Sequence, residues 1–484
     1  MKKQVISFLL LIILQIVSYS QNNLVAQNSN KSKKESPNFI FILADDLGWN
    51  ELSVRMDPRN PLSRSNYIES PNIEKLASEG MVFSNAYAPA PLCTPTRRSI
   101  QFGMTPARQK GTEFESQFNP APHLSIAQML KKIDDEYVAA HFGKWGEVIV
   151  GTRQNPESEK PGLPDRLGYD FSDGKTGNKT GIYYSRNDTA NYHRNFVCEP
   201  YGDPKLTFSV TKRACAFIEN QKATGKPFYL QVSYYAIHTA AQARPATMQK
   251  YAQKGPIPVQ ASDGIAPMID DMDTAIGMIL NTLKNLELEE TTYVFFTSDN
   301  GGEAMPENFI DHTRFPRNMP LKKEKQWLYE GGIRVPFIAR GPNIAARSHS
   351  SEPIVGYDLW MTLFDLANGD FEVSEEVDAV SLKNALFGID GGVIKRPEPG
   401  IVFHRPKDLW AWPGSFSAIR KGDYKLVVNW RTGEKFLYNV SLDISESYNL
   451  SLEKPELTKQ LYSGLVDYLT KVEAEGEKFY LNLD

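Results

Sequence analysis

The chain has 484 residues, 41% of them apolar, and carries 54 basic against 58 acidic side chains for a formal net charge of −4. That is enough apolar material for one large core or two ordinary ones. The mixed, near-neutral charge leaves no electrostatic footprint for nucleic acid and no basic helix for a membrane surface, so a polyanion would have to be gripped by a local site.

The N-terminus reads as an export signal. Lys2 and Lys3 precede an apolar run from Val5 to Val17, and "SYS" at 18–20 offers small residues for cleavage. A spanning helix needs roughly 20 apolar residues, so the run fits a signal peptide over 1–20 better than a retained anchor. No cysteine follows it to take a lipid, and residues 21–36 read as a polar linker. Export gives the three cysteines a meaning: Cys198 and Cys215 are free to pair, which leaves Cys93 over. The spacing permits that disulfide without requiring it.

From Pro37 onward, apolar β-rich runs end in polar residues. "PNFIFILADD" closes on Asp45 and Asp46, and the helical "SPNIEKLASEG" follows with Ser70 as its cap. "EYVAAHFGKWG" runs into Lys144, and "PFYLQVSYYAIHT" ends at His238. After the helix "APMIDDMDTAIGMILNTLKNL", the run "TTYVFFTSDNGG" ends at Asp299 and Asn300, and "RVPFIARGP" is a further strand. Continuous apolar strands alternating with helices predict an α/β fold, a large mostly parallel sheet sandwiched by helices over 37–395. Ligands in such sheets collect at the carboxyl ends of the strands, where these polar residues gather. Past about residue 395 the texture changes. "SFSAIRKGDYKLVVNW" and "EKFLYNVSL" read as hairpin strands with a turn at Lys421-Gly422-Asp423. "PELTKQLYSGLVDYLTKV" puts Leu457, Leu461, Leu465, Tyr468, Leu469 and Val472 on one helical face. A smaller antiparallel sheet with one helix is therefore expected over 396–484.

Asp45, Asp46, Asp299 and Asn300 make a hard, all-oxygen set suited to Ca²⁺ or Mg²⁺ rather than zinc; Asp45-Asp46 alone would equally suit a solvated turn. Cys93 stands just before a possible helix start, with Pro95 near the first turn and Arg97 and Arg98 close behind. A helix N-terminus and two arginines favour an anion. The other reading of Cys93 is a small buried hydrophobe.

"CTPTR" (93–97) resembles the signature of the formylglycine-dependent, type I sulfatases of the alkaline-phosphatase superfamily. "PNFIFILADDLG", "GKW", "AIHT", "TSDNGG", "KQWLYEGGIRVPFIARGP" and "AIRKGDYKLV" stand in that family's order, so the resemblance covers nearly everything from Pro37 to the C-terminus. It implies an alkaline-phosphatase-like catalytic domain over 37–395 and the activity of a bacterial polysaccharide sulfatase. It implies that a formylglycine-generating or radical sulfatase-maturating enzyme oxidises Cys93, whose hydrated aldehyde then attacks sulfur. Asp45, Asp46, Asp299 and Asn300, with the side chain of residue 93, would hold a divalent cation, Ca²⁺ ahead of Mg²⁺. Arg97 would hold the hydrate, and Lys144, His238 and Lys325 would contact the sulfate group. Lys325 is chosen over Lys322 and Lys323 because it stands five residues before Glu330 of "YEGG", where the family's lysine falls. Asp299 would help take the proton of the nucleophile, and His238 would protonate the leaving alcohol; the plainer reading of His238 is a core histidine closing a strand.

One position departs from the pattern. The family reads "GKWH", and its histidine assists collapse of the sulfated adduct; here Gly146 stands in that place, with His141 and Glu147 as nearby bases. An altered pocket admitting a bulkier or charged substrate group is the expectation. The substrate implied is a sulfated polysaccharide or its oligosaccharides, an algal polymer such as ulvan, carrageenan or fucoidan ahead of a glycosaminoglycan. His193 in "NYHRN" and His404, Arg405 and Trp410 in a loop before the small sheet are candidates to bind it, although that loop could simply pack the two sheets together. The alternatives are a phosphomonoesterase or phosphonate hydrolase of the same superfamily, or a catalytically weak binder of sulfated glycans. The expected location is outside the cytoplasm, in the periplasm ahead of the medium, with no stable membrane insertion.

Overall fold

The computed structural model describes residues 36–146, 149–152, 154–177, 203–239, 242–255, 264–303, 305–306, 314–315, 317–406 and 414–480. The signal peptide, Glu147, His193, Cys198 and Trp410 lie outside the described residues.

Eight strands make the main sheet: β1 (Asn38–Ala44), β2 (Met81–Phe83), β3 (Val138–Gly143), β4 (Phe171–Ser172), β5 (Phe228–Ser233), β6 (Thr292–Ser298), β7 (Phe337–Arg340) and β8 (Ser348–Ser350). Their order is β8-β2-β7-β6-β1-β5-β3-β4. β1 runs parallel to both neighbours, with Ile40 opposite Leu230 on one side and Val294 on the other. β7 is the exception, antiparallel to β6 and to β2. The sheet is thus mixed and mostly parallel, as the runs of apolar residues predict.

Six helices flank it: α1 (Pro71–Ser78), α2 (Cys93–Phe102), α3 (Ile126–Ile133), α4 (Thr207–Thr224), α5 (Ile265–Asn285) and α6 (Asp358–Leu366). Every residue of β1 is buried because the strand has a core on each face. Ile40, Ile42 and Ala44 pack with α4 and α5, while Phe39, Phe41 and Leu43 pack with α2, α3 and α6. Among the described residues, no helix is long and apolar enough to cross a membrane.

The start of α1 departs from expectation. Ser70 makes no side-chain cap bond; its hydroxyl lies 2.7 Å from that of Ser53, and each residue's backbone N–H donates to the other's hydroxyl. Asp273 on α5 caps α1 instead, accepting from the backbone N–H of Asn72 at 3.1 Å and of Ile73 at 2.8 Å. Burial pushes the Asp273 carboxyl up to about 6, against the pull of these bonds. Asp273→Ala is expected to lower stability by about 1–3 kcal/mol, since the buried N–H of Ile73 loses its acceptor. Urea unfolding checks this as a lower midpoint at unchanged slope.

The second sheet is antiparallel in chain order: β9 (Ile401–Arg405), β10 (Phe416–Lys421), β11 (Tyr424–Asn429) and β12 (Lys435–Asn439). Lys421 pairs with Tyr424 across a two-residue Gly422-Asp423 turn. Helix α7 (Pro455–Lys471) lays Leu461, Leu465 and Leu469 on one face of this sheet, and Val355, Tyr357, Leu328 and Tyr329 cover the other. His404 and Arg405, expected in a loop, instead close β9, paired with Ser417 and Phe416. Ile401–Arg405 is buried throughout, so the polar pair is carried into the sheet by the apolar residues before it.

A buried ion network ties the second sheet to the segment just ahead of β7, all within one unit, Pro37–Asp484. Lys425 lies 2.9 Å from Glu330 and 3.0 Å from Glu446, all three fully enclosed. Glu330 also accepts from Tyr87 at 3.0 Å and from Arg334 at 3.2 Å, and Glu446 accepts the Glu330 backbone N–H at 2.7 Å. Glu330 lies five residues after Lys325, so the network also anchors the segment that carries that lysine.

Candidate active site

The carboxyl ends of β1, β3, β5 and β6 converge, and each delivers its polar residue there. Asp45 and Asp46 follow β1; Asp299 and Asn300 follow β6. Asp46 has a left-handed backbone (φ 62°), which Asp tolerates better than most residues and which turns the chain sharply at the strand end. Its N–H donates to Asp299 Oδ1 at 3.1 Å, so the two strand ends clasp each other. Below them, Arg317 donates to both oxygens of Glu51 at 2.7 Å and to the Asp46 carbonyl at 3.2 Å. Glu51 in turn accepts the Gly48 N–H at 2.7 Å, which fixes the turn after the aspartates.

Cys93 is the first residue of α2 and is 1% exposed. Successive helical residues diverge by about 100°, and the two arginines part accordingly. Arg97 enters the site, with Nη2 2.7 Å from Asp299 and Nη1 donating to the Lys144 carbonyl at 2.6 Å. Arg98 turns away to the carbonyls of Ile149 and Gly111.

Each cation here faces a carboxylate. Lys144 Nζ is 2.5 Å from Asp45 Oδ2, and Lys325 Nζ is 2.7 Å from Asp46 Oδ2 and 3.5 Å from Glu303. Burial alone would push the Asp45 and Asp46 carboxyls up; the surrounding cations outweigh it and hold both below the usual range. Asp299, also enclosed, sits near Asp45 and is pushed up to about 7 despite Arg97 and Lys144. Burial, reinforced by Asp45 and Asp299 against the pull of Lys144, raises the Cys93 thiol. As a cysteine, residue 93 is therefore a neutral thiol and a poor nucleophile.

His238 Nδ1 lies 2.8 Å from the Thr239 carbonyl. A carbonyl only accepts, so Nδ1 donates to it, and Nε2 lies 3.9 Å from Asp46 Oδ2. Burial pulls the imidazole below its ordinary value, against Asp46 and Asp45.

The donors suit a hard divalent cation. Ligand atoms of Asp45, Cys93 and Asp299 all lie within 4.8 Å of one another. Among the described residues, Asp45 Oδ1 and Asn300 Oδ1 are buried without a hydrogen-bond partner, whereas buried oxygens are nearly always satisfied. Orphaned oxygens beside clustered carboxylates are what a cation of this kind requires.

The structure thus brings together Asp45, Asp46, Cys93, Arg97, Lys144, Asp299, Asn300 and Lys325, with His238 at the edge. Lys322 and Lys323 go elsewhere, Lys322 to Tyr438 and the Glu446 carbonyl, Lys323 over the Trp327 ring. His404 places Nδ1 2.6 Å from Ser417 and Nε2 2.7 Å from the Glu475 carbonyl. Arg405 donates to Glu113 at 2.9 Å and to the Gln326 carbonyl at 2.7 Å. Both are interior ties, 2% exposed. His141 is buried among Trp145 and Tyr169 with Nε2 3.1 Å from Ser233, and burial pushes it down to about 3. Glu303, Glu51 and Arg317 were not marked by the sequence. Glu303 adjoins "TSDNGG" and was within reach of that motif; the others carry no local signal.

Gly146 has φ +136°, and a Cβ there would stand 2.9 Å from Ile149 Cδ1. Its N–H donates to the Thr176 carbonyl at 2.9 Å, and that of Trp145 to the Thr176 hydroxyl at 2.8 Å. The loop is built around glycine. Gly146→His is accordingly expected to destabilise the fold by about 1–3 kcal/mol, the cost of a strained backbone, and to leave turnover unimproved. Thermal melting and steady-state kinetics check it, and a large gain in kcat would refute the altered-pocket reading.

The Sulfatase family model matches residues 37–369. A "Sulfatase" of Formosa agariphila is 27% identical over 503 aligned positions, covering 89% of this chain and 87% of that protein. The N-acetylgalactosamine-6-sulfatase of Rattus norvegicus is 27% identical, covering 80% of this chain and 74% of that protein. Among solved structures, Ps i-CgsB in complex with k-i-k-neocarrahexaose superposes with a TM-score of 0.69 at 24% identity, over 92% of this chain and 95% of that one.

Proposed function

The chain belongs to the sulfatase family of hydrolases, and on that footing we propose that it removes sulfate from a sulfated carbohydrate outside the cytoplasm, using Cys93 in its formylglycine form. The observation that carries the reading is the convergence of Cys93, three buried carboxylates and the cations Arg97, Lys144 and Lys325 on one point. Relatedness to a protein named for a sulfated amino sugar supports a sugar sulfate as substrate.

Asp45, Asp46, Asp299, Asn300 and residue 93 would hold a divalent cation, Ca²⁺ ahead of Mg²⁺. When bound, it would supply positive charge against the nucleophile and the sulfate oxygens. The chain's own residues then divide the work. Arg97, fixed by Asp299 and the Lys144 carbonyl, orients the oxygen at position 93. Lys144 and Lys325 meet the spread charge of the sulfuryl group in a water-poor pocket, where preorganised cations act strongly. His238, held through Nδ1 by the Thr239 carbonyl, turns Nε2 to the pocket, and in its imidazolium form, which Asp46 and Asp45 favour against burial, Nε2–H gives its proton to the leaving alcohol. Burial of residue 93 shields the nucleophile from side reactions.

Two measurements test this. Intact-mass analysis of natively matured protein should show Cys93 converted to formylglycine. A desulfation panel of defined algal and glycosaminoglycan oligosaccharides, run beside aryl sulfate and aryl phosphate, identifies the ester. A faster rate on phosphate than on every sulfate would favour a phosphoesterase and overturn the proposal.

A further inference from the structure

A cavity of about 320 Å³ stands against the catalytic centre, at the small end of the range for a small-molecule site. The chain leaves β1 at its carboxyl end, passes through residues 47–70, returns as α1 and re-enters the sheet as β2. β2 and β6 are both antiparallel to β7, and β1 is parallel to β6, so β2 points the same way as β1. Residues 47–70 therefore lie at the end of the sheet that carries Asp45 and Asp46. Glu51 and Arg317 form one wall of the cavity. The same arginine donates to the Asp46 carbonyl at 3.2 Å and to the Glu303 carbonyl at 3.1 Å, and the Glu303 carboxylate lies 3.5 Å from Lys325 Nζ. One ion pair stands between the cavity and the cation site.

Three kinds of group line it. Tyr67 offers an aromatic ring, held beside Tyr251 at a centroid distance of 5.7 Å. Leu62 and Met319 are 57% and 48% exposed on the same cavity, and apolar surface rimmed by polar groups is characteristic of ligand grooves. Asn50 is 7% exposed; its Nδ2 donates to the Met319 carbonyl at 2.6 Å, and its Oδ1 has no hydrogen-bond partner among the described residues. A buried amide oxygen in that condition lacks a donor. The third group is cationic. Arg317 is matched to Glu51 at 2.7 Å, whereas the exposed Arg64 has no hydrogen-bond or ion-pair partner for its guanidinium among the described residues.

An acidic sugar unit answers all three. The C–H faces of a sugar ring suit Tyr67 and Met319, its hydroxyls are the donors that Asn50 Oδ1 lacks, and an anionic substituent matches the planar fork of Arg64. A neutral sugar would leave Arg64 unused, and a free anion would leave the ring and the amide unused. We propose that this cavity is a subsite for an acidic sugar unit adjoining the sulfate ester, with Arg64 meeting its carboxylate or second sulfate; this rests on the sulfatase reading above.

The test uses the full matured protein, loaded with cation, as wild type, R64M and R64K. Its substrates are the sulfated monosaccharide carrying the ester that the panel identifies, and three disaccharides in which that unit adjoins a uronate, a sulfated sugar or a neutral sugar. If wild type hydrolyses no sulfate ester of the panel, it is the sulfatase reading that fails. R64M should lose about 5-fold or more in kcat/KM on at least one acidic disaccharide, mainly through KM, because one charged hydrogen bond is removed. The disaccharide that suffers identifies the group as uronate or sulfate. R64K keeps the charge without the fork and should fall between the two. On the monosaccharide and the neutral disaccharide, R64M and wild type should agree within twofold. Their melting temperatures should coincide, since Arg64 is exposed. Agreement within twofold on both acidic disaccharides overturns the proposal, and so does an equal loss on the monosaccharide, which would mark damage to the catalytic centre.

Discussion

Cys93→Ala is expected to lower kcat/KM by about 10⁴-fold or more, the scale seen when a covalent nucleophile is deleted, while leaving a folded protein. The side chain is small, so its loss opens little space, and it bonds to nothing the fold depends on. Cys93→Ser is the sharper comparison. Serine restores an oxygen at the same place beside Asp45 and Asp299, but not the second hydroxyl of an aldehyde hydrate. A sulfated serine has no route to expel sulfate by collapse and must wait for water. The serine variant should therefore show at most a single turnover, readable as a stable mass gain of one sulfuryl group on residue 93. Sustained turnover by either variant would remove residue 93 from the mechanism. An unconverted cysteine should also be inactive, because burial and two flanking carboxylates keep its thiol protonated.

Stripping divalent cations is expected to cost both activity and stability. Asp45, Asp46 and Asp299 are enclosed, and the exposure of each is 1% or less. Lys144, Lys325 and Arg97 offset part of their mutual repulsion, but Asp45 Oδ1 and Asn300 Oδ1 have no hydrogen-bond partner among the described residues. A bound cation would satisfy them, so a chelator should lower the melting temperature as well as abolish turnover. At a hundredfold excess of cation over its Kd, the lost stabilisation is about 2.7 kcal/mol. Adding back Ca²⁺ should restore both, and Mg²⁺ should do so less completely because it demands a tighter octahedral shell. Unchanged melting and unchanged rate after exhaustive chelation would exclude the cation site.

The sheet and much of this site were legible because one chemical pattern repeats. Runs such as "FIFIL" and "YVFF" are apolar throughout, so they had to be strands buried on both faces, and the polar residues after them had to meet at one end of a parallel sheet. Lys325 was marked by the resemblance, whose lysine falls five residues before Glu330 of "YEGG". What stayed hidden depends on partners far along the chain. Ser70 has the right chemistry for a cap, and only packing shows that Ser53 claims its hydroxyl while Asp273, 201 positions from Asn72, does the capping. "RPKDLWAW" looks polar and aromatic enough for a binding loop, yet Ile401, Val402 and Phe403 carry His404 and Arg405 inward. "DPKLTF" gives no hint that its lysine adopts a left-handed backbone, since proline and aspartate before a helix are an ordinary start.

The enclosure of Cys93 sets a timetable as well as a chemical environment. Arg97 binds a carboxylate 202 residues further along the chain, and Asp46 binds a lysine 279 residues away. At roughly 5–20 residues per second, the partners of the Arg97 segment emerge from a ribosome about 10–40 s after it does. The Lys425 network delays completion further, because the lysine-bearing segment is anchored only once residue 446 exists. For that interval "CTPTR" is a bare peptide, reachable by another enzyme. After it, the same five residues are sealed in the interior. Any modification of Cys93 is therefore a race against the protein's own folding, and variants that close the sheet faster should emerge with less of the residue converted.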